Sequence, residues 1–340
     1  MQKKRMIYYN FDIKNLNSFN LPCKVKTFLE IDNEYDIQLL ENIDFTQRTI
    51  ILAGGSNSVF TNPIFDGSII HIKNKGIKII QQTDDDIIIE ASSGEDWGEF
   101  VRYCVKQNYS GIENLAAIPG SVGASPVQNV GAYGMEVKDI FHNCLCFNPI
   151  KKEWKTYTKE ECKFDYRYSI FKYQETPEII WKVRYKLSKH FKPNLSYSAL
   201  ASEIQRLNLE INSPLQVCDL VTDIRNSKLP NPKELGNAGS FFKNPVISPE
   251  HFQKLKEVYP NIPNYPSDKG VKIAAGWLIE QTGYKGKQIG NVGMHSKQAL
   301  VMVNYGNAQG SEIIALANKI IKSIREKFQI ELEIEAHLIY

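Results

Sequence analysis

A short glycine-rich segment contains residues that could bind a phosphate. Gly54-Gly55-Ser56-Asn57 directly follows the apolar, β-branched run 49–53. Consecutive N–H groups in such a turn can hold phosphate oxygens, and the serine and asparagine side chains add donors. A plain tight turn is the alternative for four residues of this composition. The segment is neither G-x-G-x-x-G nor a Walker loop, so it predicts neither a Rossmann nor a P-loop site.

A second, longer segment from Asn114 to Met135 carries no charged residue and is rich in glycine and alanine. Small residues at this density allow a flat molecule or another backbone to come close, and an uncharged surface suits an aromatic ring system. A buried connection between two lobes is the alternative. Long segments without secondary structure inside a compact domain are usually functional, so we expect this one to contact a ligand.

Arg167 and Ser240 carry groups that could act on such a ligand. Arg167 lies between Tyr166 and Tyr168. Its guanidinium can hold a carboxylate through two hydrogen bonds, or it can stack on a ring at the surface. Ser240 follows a run of small residues without forming a hydrolase elbow. A serine hydroxyl is a poor acid, but it can protonate a carbanion or enolate; a serine in a turn is the plainer interpretation.

Glu335 is the third candidate and lies near the end of the chain. It alternates with Glu333 in Leu332-Glu333-Ile334-Glu335, which predicts one strand face for both carboxylates. A solvated strand edge with alternating charge explains the same pattern.

Composition narrows the classes of protein to which the chain can belong. Its 340 residues are 42% hydrophobic and 23% charged, with a net charge of +3. This is ordinary for globular domains, and the charge suits a small anionic substrate but does not indicate nucleic acid. The basic start MQKKRMIYYNFDIKN lacks the apolar stretch of a signal peptide, and no run is long enough for a membrane helix. The six cysteines form no C-x-x-C pair and no zinc spacing, so we expect reduced thiols and no metal.

The elements that must position these residues follow from hydrophobic periodicity and from glycine and proline. Composition changes around Pro193–Leu195 and again around Pro230, Pro232 and Gly236. Strands in runs with helices between them indicate an α+β fold. The predicted strands are 49–53, 68–72, 77–80, 86–91, 144–148, 181–187, 299–303 and 330–339, and the predicted helices are 97–106, 198–207, 274–281 and 311–328.

In combination these motifs resemble a known family. The Gly54–Asn57 turn together with the run from Ile118 to Gly134 is similar to the FAD-binding domain of the vanillyl-alcohol-oxidase type. Over nearly the whole chain the sequence resembles the UDP-N-acetylenolpyruvoylglucosamine reductases. The motifs that carry this likeness, in chain order, are DYRYSIFK at 165–172, KLP at 228–230, GNAGSFFKNP at 236–245, AAGWLI at 274–279, HSKQAL at 295–300 and LEIE at 332–335.

The resemblance implies an α+β architecture with a two-lobed FAD-binding domain and a C-terminal α+β substrate-binding domain. Residues 1–225 would form the FAD domain, with lobes at about 1–70 and 71–225, and residues 226–329 the substrate domain. The terminal strand, 330–340, would return to the first lobe.

The activity implied is NADPH-dependent, FAD-mediated reduction of the enolpyruvyl ether of UDP-N-acetylglucosamine to UDP-N-acetylmuramate, a step of peptidoglycan precursor synthesis in the cytoplasm. Hydride would arrive at C3 of the enolpyruvyl group and a proton at C2. Arg167 would bind the carboxylate and stabilise the enol-like state with Glu335, and Ser240 would deliver the proton. Many relatives have Asp where this chain has Tyr168, which affects the expected orientation of Arg167.

The resemblance also assigns binding residues. Lys228 would contact the diphosphate as a point charge, and Tyr197 indicates a subtype with a tyrosine-bearing loop over the substrate. Asn244 and Gln298 would contact the UDP-sugar, although Gln298 could equally belong to a strand edge. The expected FAD-binding residues are Gly54, Gly55, Ser56, Asn57, Ile118, Pro119, Gly120, Ser121, Gly123, Ala124, Gln128, Asn129, Gly131, Ala132 and Tyr133.

Two other functions remain open from the sequence. One is a flavin oxidase of the same superfamily, which often attaches its flavin through a histidine; the six histidines here lie outside both glycine-rich segments. The other is a non-catalytic nucleotide-binding module, which would not need Arg167, Ser240 and Glu335. The expected partner is a small-molecule substrate, without nucleic acid or membrane, and the expected state is a monomer. No motif distinguishes NADPH from NADH.

Overall fold

The computed structural model describes residues 7–173 and 178–340. The first six residues of the basic N-terminus, which also open the predicted FAD domain, lie outside the described residues, as does 174–177. The chain divides into two compact units. The first comprises residues up to Phe11, Val25–Gly54 and Asp66–Ser227, and the second comprises Asp12–Lys24, Gly55–Phe65 and Lys228–Tyr340.

The first two-thirds of the chain is mainly strand. Its elements are β1 (Ile7–Asp12), β2 (Lys24–Ile31), β3 (Thr49–Leu52), β4 (Ser58–Phe60), β5 (Ile64–Ile72), β6 (Ile77–Gln82), β7 (Asp86–Ser92), α1 (Trp97–Lys106), β8 (Gly131–Ala132), β9 (Met135–Glu136), α2 (Val137–Ile140), β10 (Phe141–Asn148), β11 (Glu153–Thr158), β12 (Ile179–Ser188), α3 (Ser198–Leu207) and α4 (Pro214–Lys228).

The remaining third alternates short strands with helices. Its elements are β13 (Gly236–Ser240), β14 (Val246–Ile247), α5 (Pro249–Val258), β15 (Asn264–Ser267), β16 (Gly270–Ile273), α6 (Ala275–Gln281), β17 (Gln288–Ile289), β18 (Val292–Met294), β19 (Val301–Asn304), α7 (Gly310–Phe328) and β20 (His337–Ile339).

In the first unit, an antiparallel sheet of order β11-β10-β12-β7-β6 packs against α1. Strand β12 alternates buried Val183, Tyr185 and Leu187 with outward-facing basic residues, the period-2 pattern of a half-buried strand. Helix α1 begins after Asp96, whose carboxylate accepts from the Glu99 N–H. Its bounds are those predicted, because its apolar residues recur at helical spacing.

A second sheet, of order β1-β2-β5-β3, carries the first glycine-rich turn. Strand β3 is parallel to β5, with Thr49 opposite Ser68 and Leu52 opposite His71. Because β3 is short and ends at Leu52, the glycines that follow begin at the edge of this sheet.

In the second unit, the sheet β13-β19-β18-β17 and helix α7 share one apolar core. Helix α7 begins with a capping box formed by Gln309 and Glu312 and buries Ile313, Leu316 and Ile320 on one face. The mixture of helices with mostly antiparallel strands confirms the predicted α+β class. None of the described helices is long and apolar enough to cross a membrane.

The observed elements differ from the predicted ones at several points. The strand predicted from Ala299 begins at Val301. The strand predicted for 330–339 is only β20, because the chain changes partner: Ile334 forms an isolated antiparallel bridge with Phe242, whereas β20 pairs in parallel with β4. Helix α4 was not predicted at all. Its apolar residues are interrupted by polar ones, so its hydrophobic periodicity is weak.

Candidate active site

Within the first unit, Gly54 at the start of the short glycine-rich segment approaches Gly120 in the longer one. A Cβ on Gly54 would lie 3.2 Å from the Gly120 Cα atom, so the two backbones are nearly in contact. Gly55 has φ +60, and a Cβ there would collide with the Leu16 carbonyl. Glycine is therefore required at Gly55, whereas at Gly54 a side chain would force one of two closely spaced backbones to shift by a few tenths of an ångström.

In the second unit, hydrogen bonds to their carbonyl groups hold Ser56 and Asn57. The Ser56 carbonyl accepts from the Ser18 hydroxyl at 3.2 Å, and the Asn57 carbonyl accepts from the His337 N–H at 2.8 Å. The turn that contains these residues is thus fixed by residues distant in sequence.

The segment 114–135 is more regular than predicted. It has short 3-10 turns at Glu113–Leu115 and Val122–Ala124, and strands β8 and β9 form a hairpin. Its backbone is nevertheless incompletely paired. The N–H groups of Ala117, Ile118, Gly120 and Ser121 donate no hydrogen bond to any part of the chain that the structure describes. A run of unpaired donors can bind the polar edge or the phosphates of a ligand.

Two buried hydroxyls near this segment also lack partners among the described residues, those of Ser93 and Ser121. Ser121 was predicted as a cofactor contact, but Ser93 was not, because nothing in its sequence neighbourhood marks it. Leaving a buried hydroxyl without a hydrogen bond costs free energy, and a hydrogen bond to a ligand atom would recover it.

Gly123 packs against Ser93. A Cβ on Gly123 would lie 2.5 Å from the Ser93 Cβ atom, and the Gly123 N–H donates to the Ser93 carbonyl at 2.9 Å. Similarly, a Cβ on Gly131 would lie 2.8 Å from the Met135 carbonyl oxygen. These two predicted cofactor residues are glycines because the chain packs on itself there.

The other members of the predicted cofactor set lie along the same segment. Pro119 is exposed, Ile118, Ala124 and Gln128 are half-buried, and Ala132 pairs with Met135 in the hairpin. The Tyr133 ring lies edge-on to that of Tyr197, with centroids 5.4 Å apart. Asn129 is fully buried.

Arg167 occupies a tight turn whose ends are Asp165 and Tyr168. Each end donates its N–H to the other's carbonyl at 3.1 Å, and Arg167 has the left-handed φ of 54°. The guanidinium donates to the Gly131 carbonyl at 3.4 Å and lies 5.3 Å from the centre of the Tyr166 ring. The predicted arginine is thus brought next to the glycine-rich segment, and Tyr168 helps to close its turn.

Arg225 on α4 is a second cation at this place, and it was not predicted. Its Nε donates to the Ala117 carbonyl at 3.1 Å. Burial lowers its pKa; Tyr133 opposes that shift, and Arg167 adds to it. Arg225 has no carboxylate partner among residues 7–173 and 178–340. Two guanidinium groups close enough to repel each other create a positive field that favours a bound anion.

Left-handed backbone is concentrated around these groups. Ala117, Asn129, Tyr133 and Arg167 all have φ between 46° and 55°. Only asparagine among these four adopts that conformation readily. Strained backbone of this kind is kept where the surrounding contacts impose it, often at functional sites.

Tyr197 lies at the start of α3, on a segment tied to the glycine-rich run. Asn114 donates to the carbonyls of Tyr133 and Asn194, at 2.9 and 2.8 Å, and Asn194 donates to Gly134 at 3.2 Å. Tyr197 itself is 41% exposed. The predicted tyrosine-bearing segment is therefore anchored, while its ring stays accessible.

In the second unit, Ser240 and Glu335 are brought together through the backbone. Ser240 ends β13 opposite Val301, next to a bulge, and not in a turn. The Glu335 N–H donates to the carbonyl of Phe241, the residue after Ser240, at 2.8 Å. The Ser240 hydroxyl is half-buried and donates to no other part of the described chain.

Glu333 differs from Glu335 in its surroundings. Its side chain is 71% exposed and forms an ion pair with Lys243 at 2.7 Å, whereas Glu335 is half-buried. The alternating pattern of the sequence could not distinguish the two carboxylates, but their exposure does.

The predicted substrate residues of the second unit lie on loops and helix ends. Lys228 is exposed at the end of α4. The Asn244 side-chain oxygen accepts from the N–H of Ala275, the first residue of α6, at 2.9 Å, which leaves its amide protons for a ligand. Gln298 lies in the loop between β18 and β19, not in a strand edge, with its Oε1 accepting from Leu300 at 3.4 Å.

All six cysteines are buried free thiols. Within the described part of the chain, no group of three or more His, Cys, Asp or Glu residues could hold a metal ion.

Comparison with protein families gives two matches. The model described as UDP-N-acetylenolpyruvoylglucosamine reductase, C-terminal domain, matches residues 231–339, and that described as FAD binding domain matches residues 39–149. A UDP-N-acetylenolpyruvoylglucosamine reductase from Flavobacterium johnsoniae is 43% identical over 98% of this chain and 99% of its own. One from Neisseria gonorrhoeae is 41% identical over 97% and 96%.

Solved structures show the fold independently. UDP-N-acetylenolpyruvylglucosamine reductase from Thermus caldophilus superposes with a TM-score of 0.68 at 18% identity, covering 99% of both chains. A 6-hydroxy-D-nicotine oxidase from Arthrobacter nicotinovorans gives 0.53 at 11% identity, covering 95% of this chain and 86% of the other. The predicted fold class is confirmed.

Proposed function

Because this chain belongs to the UDP-N-acetylenolpyruvoylglucosamine reductase family, we propose that it reduces the enolpyruvyl ether of UDP-N-acetylglucosamine to UDP-N-acetylmuramate, with NADPH as hydride donor. This reaction would serve peptidoglycan precursor synthesis in the cytoplasm. The observation that carries the proposal is identity above 40% along almost the entire chain, with the arginine, serine and glutamate motifs all present.

The residues of the first unit fit FAD. The N–H groups of Ala117, Ile118, Gly120 and Ser121 and the hydroxyls of Ser93 and Ser121 have no partner among the described residues, so they offer donors. The surrounding segment is uncharged and suits a flat ring. When bound, FAD accepts hydride from NADPH and passes it to the substrate. The protein's own contribution is to hold the ring, exclude water and supply charge.

Arg167 and Arg225 would supply positive charge where the reaction develops negative charge. Reduction at C3 of the enolpyruvyl group places negative charge on C2 and its carboxylate. Arg225 has no carboxylate partner in the described chain, so its charge is not neutralised by the protein. The two guanidinium groups would stabilise such an anion strongly, because their positive field is present before the reaction starts. Glu335 would orient the same group from its half-buried position.

Ser240 would deliver the proton to C2. Its hydroxyl is not committed to another part of the described chain, so it can turn toward a substrate atom. A neutral hydroxyl protonates a strongly basic carbon without holding a charge of its own beforehand.

The substrate's other groups would bind to the remaining predicted residues. Lys228 offers a charge for the diphosphate, and the free amide protons of Asn244 suit carbonyl or hydroxyl oxygens. Gln298 would add a contact, and Tyr197 would cover the substrate as in the tyrosine-loop subtype. We also propose that residues 1–225 form the FAD domain, that 226–329 form the substrate domain with 330–340 returning to the first lobe, and that the enzyme acts as a monomer.

One assay tests the function. The purified protein is examined for flavin absorbance, and NADPH oxidation is followed with and without the enolpyruvyl UDP-sugar. We expect bound FAD and NADPH oxidation that depends on the UDP-sugar. Absence of flavin, or equal turnover without the sugar, would overturn the proposal, and turnover of an alcohol or sugar with oxygen would favour an oxidase instead.

The role of Ser240 is tested by Ser240→Ala. Loss of a single group that acts in the transition state typically lowers kcat by about 100- to 1,000-fold. Reduction of the flavin by NADPH alone should be unchanged. Ser311→Ala, at an exposed position at the start of α7, is the matched control. A Ser240→Ala enzyme with full turnover would exclude the hydroxyl as the proton donor.

A further inference from the structure

Asn129 has an unusual position in the glycine-rich segment. It is fully buried, and its backbone is left-handed, with φ 46°. Its side-chain NH2 donates to the Glu136 carboxylate at 3.0 Å and to the Asp165 carbonyl at 3.2 Å. Its side-chain oxygen accepts from the Lys138 N–H at 3.0 Å. Both protons and the oxygen are therefore used within the protein.

These bonds join two pieces of the site. Asp165 opens the turn that carries Arg167, and its carbonyl also accepts from the Tyr168 N–H that closes this turn. Asn129 thus holds the fixed end of the arginine turn. Two residues further on, the Gly131 carbonyl accepts from the Arg167 guanidinium at 3.4 Å. The same short stretch of the glycine-rich segment contacts both the base of the turn and its functional group.

Ser169 ties down the other side of the turn. It is fully buried, its hydroxyl donates to the Val127 carbonyl at 2.7 Å, and the same oxygen accepts from the Phe171 N–H at 3.2 Å. The turn around Arg167 is therefore attached on both sides to residues 127–131.

We infer that Asn129 is a positioning residue that acts through Arg167: it locks the arginine turn onto the glycine-rich segment and so sets where the guanidinium meets the substrate carboxylate. This role replaces the cofactor contact expected for its side chain. The inference rests on the proposed function, since it assigns Arg167 to the substrate. Left-handed backbone is strained at an arginine, and the hydrogen bonds between Asp165 and Tyr168 close the turn without attaching it to the glycine-rich segment. Asn129 and Ser169 supply that attachment at its two ends.

The reaction has two halves, which allows a specific test. Positioning of Arg167 matters for reduction of the UDP-sugar and not for reduction of the flavin by NADPH. In Asn129→Gly the left-handed backbone is retained without strain, while all three side-chain hydrogen bonds are lost. A displacement of a catalytic group by about 1 Å can cost on the order of 100-fold in rate.

The experiment uses the FAD-loaded enzyme. Binding of the enolpyruvyl UDP-sugar to the oxidised enzyme is measured by calorimetry, flavin reduction by NADPH by stopped flow, and kcat and KM at steady state. For Asn129→Gly we expect about 10-fold weaker sugar binding and a kcat reduced by about 10- to 100-fold. Flavin content and the rate of flavin reduction by NADPH should match the wild type.

Asn148→Ala is the matched control. Asn148 is also buried in the first unit and also makes three side-chain hydrogen bonds, to Glu178, Ile150 and Lys151. It should lower stability without separating the two half-reactions. Ser169→Ala provides a second test of the lock if Asn129→Gly folds poorly, and it should show the same separation.

Two results would overturn the inference. One is wild-type sugar binding and turnover in both Asn129→Gly and Ser169→Ala. The other is flavin loss with equal slowing of both half-reactions, which would make Asn129 a cofactor contact or a general structural residue. If the wild-type enzyme itself failed to bind the UDP-sugar, the proposed function would fail, and this is read directly from the wild-type titration.

Discussion

Replacement of Arg225 by methionine should separate what this cation does for stability from what it does for the ligand. Its Nε–Ala117 hydrogen bond, 3.1 Å long, would be lost, and a bond from a charged donor is worth about 1.5–3 kcal/mol. Opposing this, a desolvated charge without a carboxylate partner costs several kcal/mol to bury. The two changes nearly cancel, so the free energy of unfolding should fall little or even rise.

Arg225→Met should lower kcat/KM for the UDP-sugar strongly. If Arg225 interacts with one anionic group of the substrate, removing the guanidinium loses about 1.5–3 kcal/mol of stabilisation. This corresponds to a decrease in kcat/KM of about 10- to 150-fold. Urea unfolding gives the first quantity, and steady-state kinetics with the UDP-sugar gives the second.

Arg102→Met is the control for this experiment. Arg102 lies on α1 and forms an exposed ion pair with Asp219 at 2.8 Å. Such pairs contribute about 0–1 kcal/mol, so this variant should keep both stability and kcat/KM. The reasoning is refuted if Arg225→Met unfolds much more easily than wild type while its kcat/KM is unchanged, because Arg225 would then be a structural residue.

Two further predictions concern stability. Gly123→Ala would push a methyl group to 2.5 Å from the Ser93 Cβ atom and should destabilise the protein by about 1–3 kcal/mol with loss of bound flavin. Urea unfolding and flavin absorbance measure this. Gly98→Ala near the start of α1, where the methyl group would lie 3.3 Å from the Asp96 side-chain oxygen, should change stability by less than about 1 kcal/mol and leave flavin bound. Burial lowers the pKa of His71 from 6.5, so the folded state binds its proton less readily than the unfolded state. Stability should therefore fall as the pH drops below 6.5 through the folded pKa, and His71→Gln should flatten that part of a stability–pH profile; an unchanged slope would contradict the assignment.

Elements with strong periodicity could be predicted from the sequence. Helix α1 and helix α3 have the predicted bounds, because their apolar residues recur at helical spacing, and α1 in addition has an aspartate cap. Ser240 and Glu335 are candidates through their motifs and not through periodicity. A motif names a residue without giving its surroundings, which is why Ser240 was assigned to a turn and not to the end of a strand.

Arg225 could not be predicted because its importance arises from tertiary contacts. It lies in α4, a helix whose polar interruptions conceal the apolar face. Its distinguishing property is a half-buried guanidinium without a carboxylate partner in the described part of the chain. This depends on Ala117 and Tyr133, which are about a hundred residues away in the chain. The sequence shows only one arginine among many. The prediction of one terminal strand was wrong for a related reason. The terminal segment changes partner from Phe242 to β4, and this change depends on tertiary contacts.

The glycine-rich segment shows why the sequence names a cofactor more easily than the atoms that hold it. Two different needs select small residues: a ligand that comes close, and a neighbouring backbone that comes close. Gly54 and Gly123 meet the second need, since a Cβ on either would press on Gly120 or Ser93. The donors available to a ligand lie beside them, in the unpaired N–H groups of 117–121. Replacing a packing glycine with a larger residue should therefore weaken flavin binding indirectly, because it moves those donors. Flavin affinity and protein stability should then decrease together.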